Sequence, residues 1–220
     1  MSDETPADPP AGGGDPPKRP EAVIYSSDPP AAVITMNREE RGNAISAEIV
    51  AGLHAALDLA LDDDRIRAVI ITGSGNSFCT GIDLVDASEN LGQSCEELQA
   101  EAESLARLFR RLRSYEKVTI AAVNGPALAS GCGIATVCDF SLATGSARFG
   151  YPEVRSRFVP AVVSVYLRGL VSEKRLRDLL LTGRIVSADE AIGLGLINEV
   201  VPAGDLLRRG MEIAWEIAQN

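Results

Sequence analysis

The chain has 220 residues, of which 45% are hydrophobic and 24% are charged. This length and composition are typical of one globular domain with a sizeable core. The net charge of −10 disfavours binding to nucleic acid, because neutralising phosphates requires a concentrated cationic surface. No apolar run reaches the roughly 18 residues that a membrane span needs.

The first 20 residues are rich in proline, glycine and aspartate, and they contain almost no apolar side chains. This composition predicts a disordered tail over 1–20, which lacks the apolar core of a signal peptide. The cysteines are Cys79, Cys95, Cys132 and Cys138. They show no Cys-x-x-Cys spacing and the only histidine is His54, so we expect no metal site and a cytoplasmic protein with reduced thiols.

Strand and helix signals alternate along the rest of the chain. Short apolar runs, several of them rich in β-branched residues, predict strands at 23–26, 32–36, 68–72, 119–123 and 140–143. Apolar residues at helical spacing predict helices at 47–61 and 96–113, and a third helix is expected at 131–137. This order predicts a fold of the α/β class.

Two of the predicted strands open into segments rich in small residues. These segments are 77–84, Ser-Phe-Cys-Thr-Gly-Ile-Asp-Leu, and 124–133, Asn-Gly-Pro-Ala-Leu-Ala-Ser-Gly-Cys-Gly. A helix that begins near Gly131 would present unpaired N–H groups and partial positive charge. Two N–H groups that converge on one carbonyl oxygen would form an oxyanion hole. The spacing alone also fits turns that serve packing only.

Five motifs occur in a fixed order along the chain. They are Met36-Asn37-Arg38 with Asn43-Ala44-Ile45-Ser46; Thr72-Gly73 with Phe78-Cys79-Thr80-Gly81-Ile82-Asp83-Leu84; Ala121-Ala122-Val123-Asn124-Gly125 with Cys138-Asp139; Ala147-Arg148-Phe149-Gly150-Tyr151-Pro152-Glu153-Val154; and Leu181-Thr182-Gly183-Arg184 with Ala188-Asp189-Glu190-Ala191 and Gly195-Leu196-Ile197. Together they resemble the enoyl-CoA hydratase/isomerase family, the crotonase superfamily.

The resemblance implies a crotonase-like ββα superhelix, a spiral of stacked strand-strand-helix units, with a core domain over 21–202. Residues 203–220 would then be the start of a C-terminal helical region that is truncated here. We expect Trp215, on that segment, to lie in the core or in an interface. The resemblance also implies a homo-oligomer, either a trimer or a hexamer.

Family members bind a coenzyme A thioester, as in fatty acid metabolism, so the resemblance implies an acyl-CoA substrate and no separate cofactor. It assigns the two oxyanion donors to the backbone N–H groups of Thr80 and Ser130. Ala129 and Ser130 stand where the family commonly has glycine, and a Cβ there is costly if φ is positive. The expected substrate-binding residues are Arg38, Arg41, Ala44, Cys79, Gly81, Ile82, Asp83, Leu84, Gly131 and Gly133.

Arg38 and Arg41 flank the Asn-Ala element and are the favoured partners of the coenzyme A phosphates, ahead of Arg65 and Arg67. Solvated loop arginines are the alternative interpretation.

Glu153 is the predicted proton-transfer residue. A carboxylate beside a thioester enolate can take or deliver a proton when partial desolvation raises its pKa. Gly133 falls where the well-known hydratases carry a second glutamate. One carboxylate suffices to move a proton between two carbons of an enolate, so isomerisation of a 3-enoyl to a 2-enoyl thioester fits Glu153 alone.

The run Glu153-Val154-Arg155 with 159–164 resembles hydratases of branched or dicarboxylic substrates, such as methylglutaconyl-CoA hydratases, where glycine can occupy the Gly133 position. Hydration of a 2-enoyl-CoA is therefore favoured, and isomerisation is the alternative. A catalytically impaired paralogue that binds acyl-CoA or a protein is a further alternative. Arg155 and Arg157 fit recognition of a second substrate carboxylate, or simply surface charge.

Overall fold

The structure is a computed structural model that describes residues 21–82 and 94–220. The strands are β1 (Val23–Asp28), β2 (Ala31–Met36), β3 (Ala68–Gly73), β4 (Val118–Val123), β5 (Ala127–Leu128), β6 (Phe140–Thr144), β7 (Arg148–Gly150), β8 (Ile185–Ser187) and β9 (Glu199–Val201). The α-helices are α1 (Ala47–Asp62), α2 (Cys95–Arg113), α3 (Ser130–Val137), α4 (Ala161–Leu167), α5 (Glu173–Thr182), α6 (Ala188–Leu194) and α7 (Leu206–Ala218). Short 3-10 helices span Glu39–Arg41, Pro152–Ser156 and Ala203–Asp205.

Six strands form the main sheet in the order β1-β2-β3-β4-β6-β9. All neighbouring pairs from β2 to β9 are parallel, and only β1 pairs antiparallel. Every residue of β3 is buried, which explains why Ala68–Ile71 are all apolar rather than alternating with polar residues. Because β3 and β4 are parallel, the segments that follow them leave the sheet at the same edge.

The two faces of the main sheet carry different helices. Val69 and Ile71 of β3 point into the larger core, which contains the apolar side chains of α1 and α2. Ile70 points to the opposite face, where it packs with Leu206 and Ile213 of α7. This alternation follows from the period-two geometry of a strand.

A second, smaller sheet orders its strands β5-β7-β8. The parallel pair β5 and β7 places Leu128 opposite Gly150. This pairing brings the end of β5, which leads into α3, next to the end of β7, which leads into the 3-10 helix over Pro152–Ser156.

The predicted strands and helices that lie in the described ranges are present, with ends that shift by one or two residues. The predicted tail over 1–20 lies outside the described residues. Trp215 is 55% exposed, so the core position considered for it is wrong, while the interface position and the homo-oligomer stay predictions. Among the described residues, no helix has both the length and the apolar character to cross a membrane.

The N-terminal half of the fold is joined by contacts between α1 and the end of α2. The Arg111 guanidinium donates to the His54 carbonyl at 2.9 Å and pairs with Asp58 at 2.5 Å. Tyr115 donates its hydroxyl to the Leu57 carbonyl at 2.5 Å. His54 is partly buried, and burial followed by the Arg111 charge lowers its pKa.

Asn43 connects two loops beside the main sheet. It is fully buried and has a left-handed φ of 55°, which asparagine tolerates better than most residues. Its Oδ1 accepts from the Arg38 N–H at 2.8 Å, and its Nδ2 donates to the carbonyls of Ser74 and Ser77 at 2.9 and 2.8 Å. The side chain therefore holds the segment that leads into the first small-residue turn.

We expect Asn43→Ala to lower the free energy of unfolding by about 2–4 kcal/mol, because the Arg38 N–H and the Ser74 carbonyl lose these partners and the Ser77 carbonyl keeps only the bond from Asn124 at 3.3 Å. Urea denaturation measures the loss. Asn37→Ala is the matched control, since the Asn37 side chain makes one exposed bond to the Glu21 carbonyl at 3.0 Å. An equal loss in both variants would contradict the role given to Asn43.

Candidate active site

The N–H groups of Thr80 and Ile82, in the first small-residue turn, differ in whether they are already bonded. The Thr80 N–H donates to the Gly42 carbonyl at 3.1 Å, so the prediction that Thr80 supplies an oxyanion donor does not fit this conformation. The Ile45 N–H donates to the Gly81 carbonyl at 2.7 Å. Because the C=O and N–H of one trans peptide point in opposite directions, the Ile82 N–H points away from Ile45. Within 21–82 and 94–220, no acceptor contacts it.

The second turn ends in a strained residue. Ala129 has φ 51° and ψ −124°, a conformation that favours glycine and costs other residues about 1–3 kcal/mol. Its N–H donates to the Gly150 carbonyl at 2.8 Å. Ser130 is the first residue of α3, and its N–H has no acceptor among the residues that the structure describes. This agrees with the rule that the first turn of a helix leaves N–H groups unpaired.

The two turns are in direct contact. The Cys79 carbonyl accepts from the Leu128 N–H at 2.9 Å. A Cβ on Gly131 would lie 2.2 Å from the same carbonyl oxygen, so only glycine fits there. A Cβ on Gly81 would lie 2.8 Å from the Ala129 Cβ. Ile82 follows Gly81 and Ser130 follows Ala129. The N–H groups of Ile82 and Ser130 therefore lie on adjacent segments, as an oxyanion hole requires.

Glu153 lies on the 3-10 helix that follows β7. Its carboxylate is half-buried, and Oε2 has no hydrogen-bond partner among the described residues. Burial raises the pKa of the Glu153 carboxyl, and the backbone N–H of the same residue opposes this in part. A carboxylate that is desolvated but not neutralised by a cation is suited to exchange a proton near neutral pH.

Gly133 faces a space that apolar side chains already fill. A Cβ on this residue would lie 2.5 Å from Cγ1 of Val163 and 2.7 Å from Cε1 of Phe109. The Phe109 ring stacks on Tyr166 with 5.7 Å between ring centroids and 27° between planes. A glutamate at this position would need the side chains of Val163 and Phe109 to move. The periodicity of the sequence places Phe109 on a packed helix face, but it does not indicate that this ring covers Gly133.

The remaining predicted binding residues divide by location. Arg38 is half-buried, and its guanidinium contacts the Ala44 carbonyl at 3.5 Å. Arg41 is exposed and directly precedes Gly42, the residue whose carbonyl binds Thr80. Both arginines thus lie near the first turn. Ala44 and Cys79 are buried.

Other predicted positions lie elsewhere. Asp83 and Leu84 fall outside the described residues. Arg65 and Arg67 precede β3, at the opposite end of that strand from the turn, so they are not part of this site. Arg155 and Arg157 are exposed on the segment directly after Glu153.

The buried thiols do not add a nucleophile. Burial raises the pKa of Cys79 and of Cys132 to about 12, so both are protonated near neutral pH. Neither range of described residues contains a group of three or more His, Cys, Asp or Glu side chains that could hold a metal ion. Glu153 is thus the polar group at the site that is suited to proton transfer.

We expect Gly133→Ala to lower the free energy of unfolding by about 1–3 kcal/mol, because the new methyl overlaps Val163 and Phe109. Thermal or urea denaturation measures the change. Gly193→Ala is the matched control within α6, because a Cβ there meets no atom within 4 Å. That variant should be neutral or stabilised by up to about 1 kcal/mol. Similar losses in the two variants would show that the space beside Gly133 is not closed.

Glu153→Gln should be more stable than the wild type at about pH 8 and equally stable at about pH 4. The Glu153 pKa is raised in the folded protein, so its ordinary value of about 4.5 applies only to the unfolded chain. The fold therefore loses stability as pH rises from that value through the raised pKa, and glutamine cannot ionise. Urea denaturation of both proteins over this pH range measures the difference between their free energies of unfolding. A stability difference that does not change with pH would contradict the burial of the carboxylate.

Comparison with known sequences gives a consistent result. Residues 29–220 match the family described as Enoyl-CoA hydratase/isomerase. The chain is 45% identical over 189 residues to a putative enoyl-CoA hydratase of Thermus thermophilus, a match that covers 86% of this chain and 75% of that protein. It is 36% identical over 188 residues to a crotonyl-CoA hydratase of Syntrophomonas wolfei, covering 84% of this chain and 71% of the relative.

Solved structures show the same fold. An enoyl-CoA hydratase from Bacillus anthracis superposes with a TM-score of 0.85 at 31% identity, covering 90% of this chain and 77% of that one. An enoyl-CoA hydratase/isomerase from Xanthobacter autotrophicus gives a TM-score of 0.86 at 33% identity, covering 90% and 74%. These matches confirm the predicted crotonase-like α/β fold. The chain belongs to the enoyl-CoA hydratase/isomerase family.

Proposed function

We propose that this protein hydrates a 2-enoyl-CoA thioester. The observation that carries the proposal is the buried Oε2 of Glu153, which has no partner in the part of the chain that the structure describes and lies on the segment that β5–β7 pairing brings beside the second turn. The names of the relatives, among them a crotonyl-CoA hydratase, support the substrate class.

The thioester oxygen binds to the backbone N–H groups of Ile82 and Ser130. Both are unpaired among the described residues, and they follow Gly81 and Ala129, which are in contact. Negative charge develops on this oxygen when a nucleophile adds to the conjugated double bond. Two preorganised donors stabilise that charge, and losing one donor typically costs about 2.7–4 kcal/mol.

Glu153 moves the proton. In the hydration direction, the carboxylate accepts a proton from the attacking water while the water oxygen bonds to C3 of the acyl group. The resulting enolate then takes a proton at C2, and the net change is addition of one water. The raised pKa suits both halves of this cycle, because the carboxyl can be ionised first and protonated afterwards.

The coenzyme A portion lies along the first turn. Arg38 and Arg41 are the proposed partners of its phosphates, supported by their position beside Gly42 and by their charge. Asp83 and Leu84 complete the predicted acyl-CoA-binding segment. Arg155 and Arg157 are the proposed partners of a second carboxylate if the acyl group carries one.

A second candidate function is isomerisation of a 3-enoyl to a 2-enoyl thioester. The filled space beside Gly133 favours it, because Phe109 and Val163 leave no room for a second carboxylate that would help to hold a water molecule. Glu153 alone would then remove a proton from C2 and return it to C4. The two functions share the same donors and the same proton carrier, so the product distinguishes them.

Incubation of the purified protein with crotonyl-CoA and with 3-hexenoyl-CoA tests the proposal. We expect a 3-hydroxyacyl product of higher mass and loss of the conjugated-enoyl absorbance from crotonyl-CoA. Glu153→Gln should lower kcat by about 10²–10⁴-fold. Glu173→Gln, at an exposed glutamate that pairs with Arg177 on α5, is the control and should leave kcat unchanged.

Gain of conjugated absorbance from 3-hexenoyl-CoA without a change in mass would favour the isomerase. Turnover of both substrates that does not depend on Glu153 would contradict the mechanism. No turnover of either, with acyl-CoA still bound in calorimetry, would favour the catalytically impaired paralogue.

A further inference from the structure

The hydroxyls of Tyr151 and Thr136 form a buried pair close in sequence to Glu153, and neither takes part in the proposed proton transfer. Tyr151 precedes Glu153 by two residues and is fully buried. Its hydroxyl lies 3.1 Å from Oγ1 of Thr136 on α3. The Thr136 hydroxyl donates its one proton to the carbonyl of Cys132 at 2.9 Å or of Gly133 at 3.2 Å. The Tyr151 hydroxyl can then donate to Thr136, and it also contacts the Cys132 thiol.

Two hydrogen bonds at separated points connect α3 to the segment that carries Glu153, in addition to contacts of the Cys132 thiol with Tyr151 and Gly150. The first is the bond from the Ala129 N–H to the Gly150 carbonyl at 2.8 Å, just before α3 begins. The second joins Tyr151 to Thr136, nearly two turns along the helix. Together with the packing of Pro152 and Val154 against Gly183, bonds at separated points restrain the orientation of this segment more than the bond at Gly150 does alone.

Glu153 depends on this orientation because, among the described residues, no other residue holds its carboxylate. Oε2 makes no hydrogen bond within the described ranges. The Glu153 carbonyl accepts from the Phe158 N–H at 3.0 Å, which closes the short helix but does not connect it to α3. The place of the carboxylate relative to Ser130, the first residue of α3, is thus set by the neighbouring backbone and by Tyr151.

We propose that Tyr151 is a positioning residue, whose hydrogen bond to Thr136 sets the place of the Glu153 carboxylate relative to the Ser130 N–H. This inference rests on the proposed function, in which Ser130 holds the thioester oxygen and Glu153 moves the proton. A phenylalanine would fill the same apolar space, but it would lack the directional hydrogen bond that the Tyr151 hydroxyl makes with Thr136. A displacement of about 1 Å between reacting groups can lower a rate by up to about 10²-fold.

Tyr151→Phe and Thr136→Val test the proposal, because each removes one side of the bond while keeping the volume. We expect each variant to lower kcat by about 10-fold and to leave KM for the acyl-CoA within about 2-fold. The double variant should lower kcat no further than either single variant, since both remove the same interaction. Additive losses, or a change in KM alone, would overturn the proposal.

Tyr115→Phe is the matched control. The Tyr115 hydroxyl donates to the Leu57 carbonyl at 2.5 Å, and this bond joins the chain after α2 to α1, away from Glu153. Its loss should lower the free energy of unfolding to a similar extent without lowering kcat. If Tyr115→Phe and Tyr151→Phe lower kcat equally, the Tyr151 bond contributes to general stability only, and the proposal fails.

A measurement without turnover separates this inference from the proposed function. Carbon-13 NMR titration of glutamate side chains, with Glu153→Gln for assignment, reports the Glu153 pKa directly. Tyr151→Phe and Thr136→Val should lower that pKa towards the ordinary value, because a displaced carboxylate gains access to water. A Glu153 pKa that stays unchanged in Tyr151→Phe and Thr136→Val would overturn the positioning role. Absence of Glu153-dependent turnover in the wild type, with the titration moved as expected, would overturn the proposed function instead.

Discussion

The contact between the start of α3 and the first small-residue turn determines the rest of the site. The Cys79 carbonyl lies where any side chain on Gly131 would have to be, so the two segments can only approach if residue 131 is glycine. This approach requires β3 and β4 to be parallel neighbours, because only then do both turns leave the sheet at one edge. This closeness places on neighbouring segments the N–H groups of Ile82 and Ser130, which have no acceptor among the described residues.

The residues best suited to chemistry have strained backbone or polar atoms that lack hydrogen-bond partners among the described residues. Ala129 holds a backbone conformation that glycine would adopt with less strain, and Glu153 keeps a buried oxygen that has no partner within 21–82 and 94–220. Each feature reduces stability compared with a residue chosen for packing alone. The surrounding fold supports them through the large core on one side of the main sheet and α7 on the other. Such local exceptions are expected where a protein binds or transforms a ligand.

The sequence predicts the regular elements well where apolar periodicity is strong. β3 is a continuous apolar run, and α2 carries one apolar face, so both are predictable from the residues alone. The short strands β5, β7 and β8 have two or three residues each, which is too little for a periodic signal. The small sheet that positions Glu153 is consequently missed, although the motif that contains Glu153 is found.

The error at Thr80 has a different physical cause. A motif locates a segment, but the direction of each peptide group depends on contacts made far away in sequence. Here the Ile45 N–H binds the Gly81 carbonyl and thereby turns the following N–H, that of Ile82, the other way. The filled space beside Gly133 is missed for a similar reason. The sequence shows that residue 133 is glycine, but it does not show that the Phe109 ring packs over it.

The packing of Phe109 over Gly133 also limits how this protein can evolve. A carboxylate at residue 133 and the ring at residue 109 cannot share one space, so gaining the first requires losing the second. Replacing Phe109 alone with a small residue would leave a cavity that costs about 3–5 kcal/mol. Replacing Gly133 alone would force the ring aside. Either order of the two substitutions passes through a less stable intermediate sequence. The arrangement with one carboxylate is therefore separated from the arrangement with two by a loss of folding stability, and not by the chemistry of the reaction.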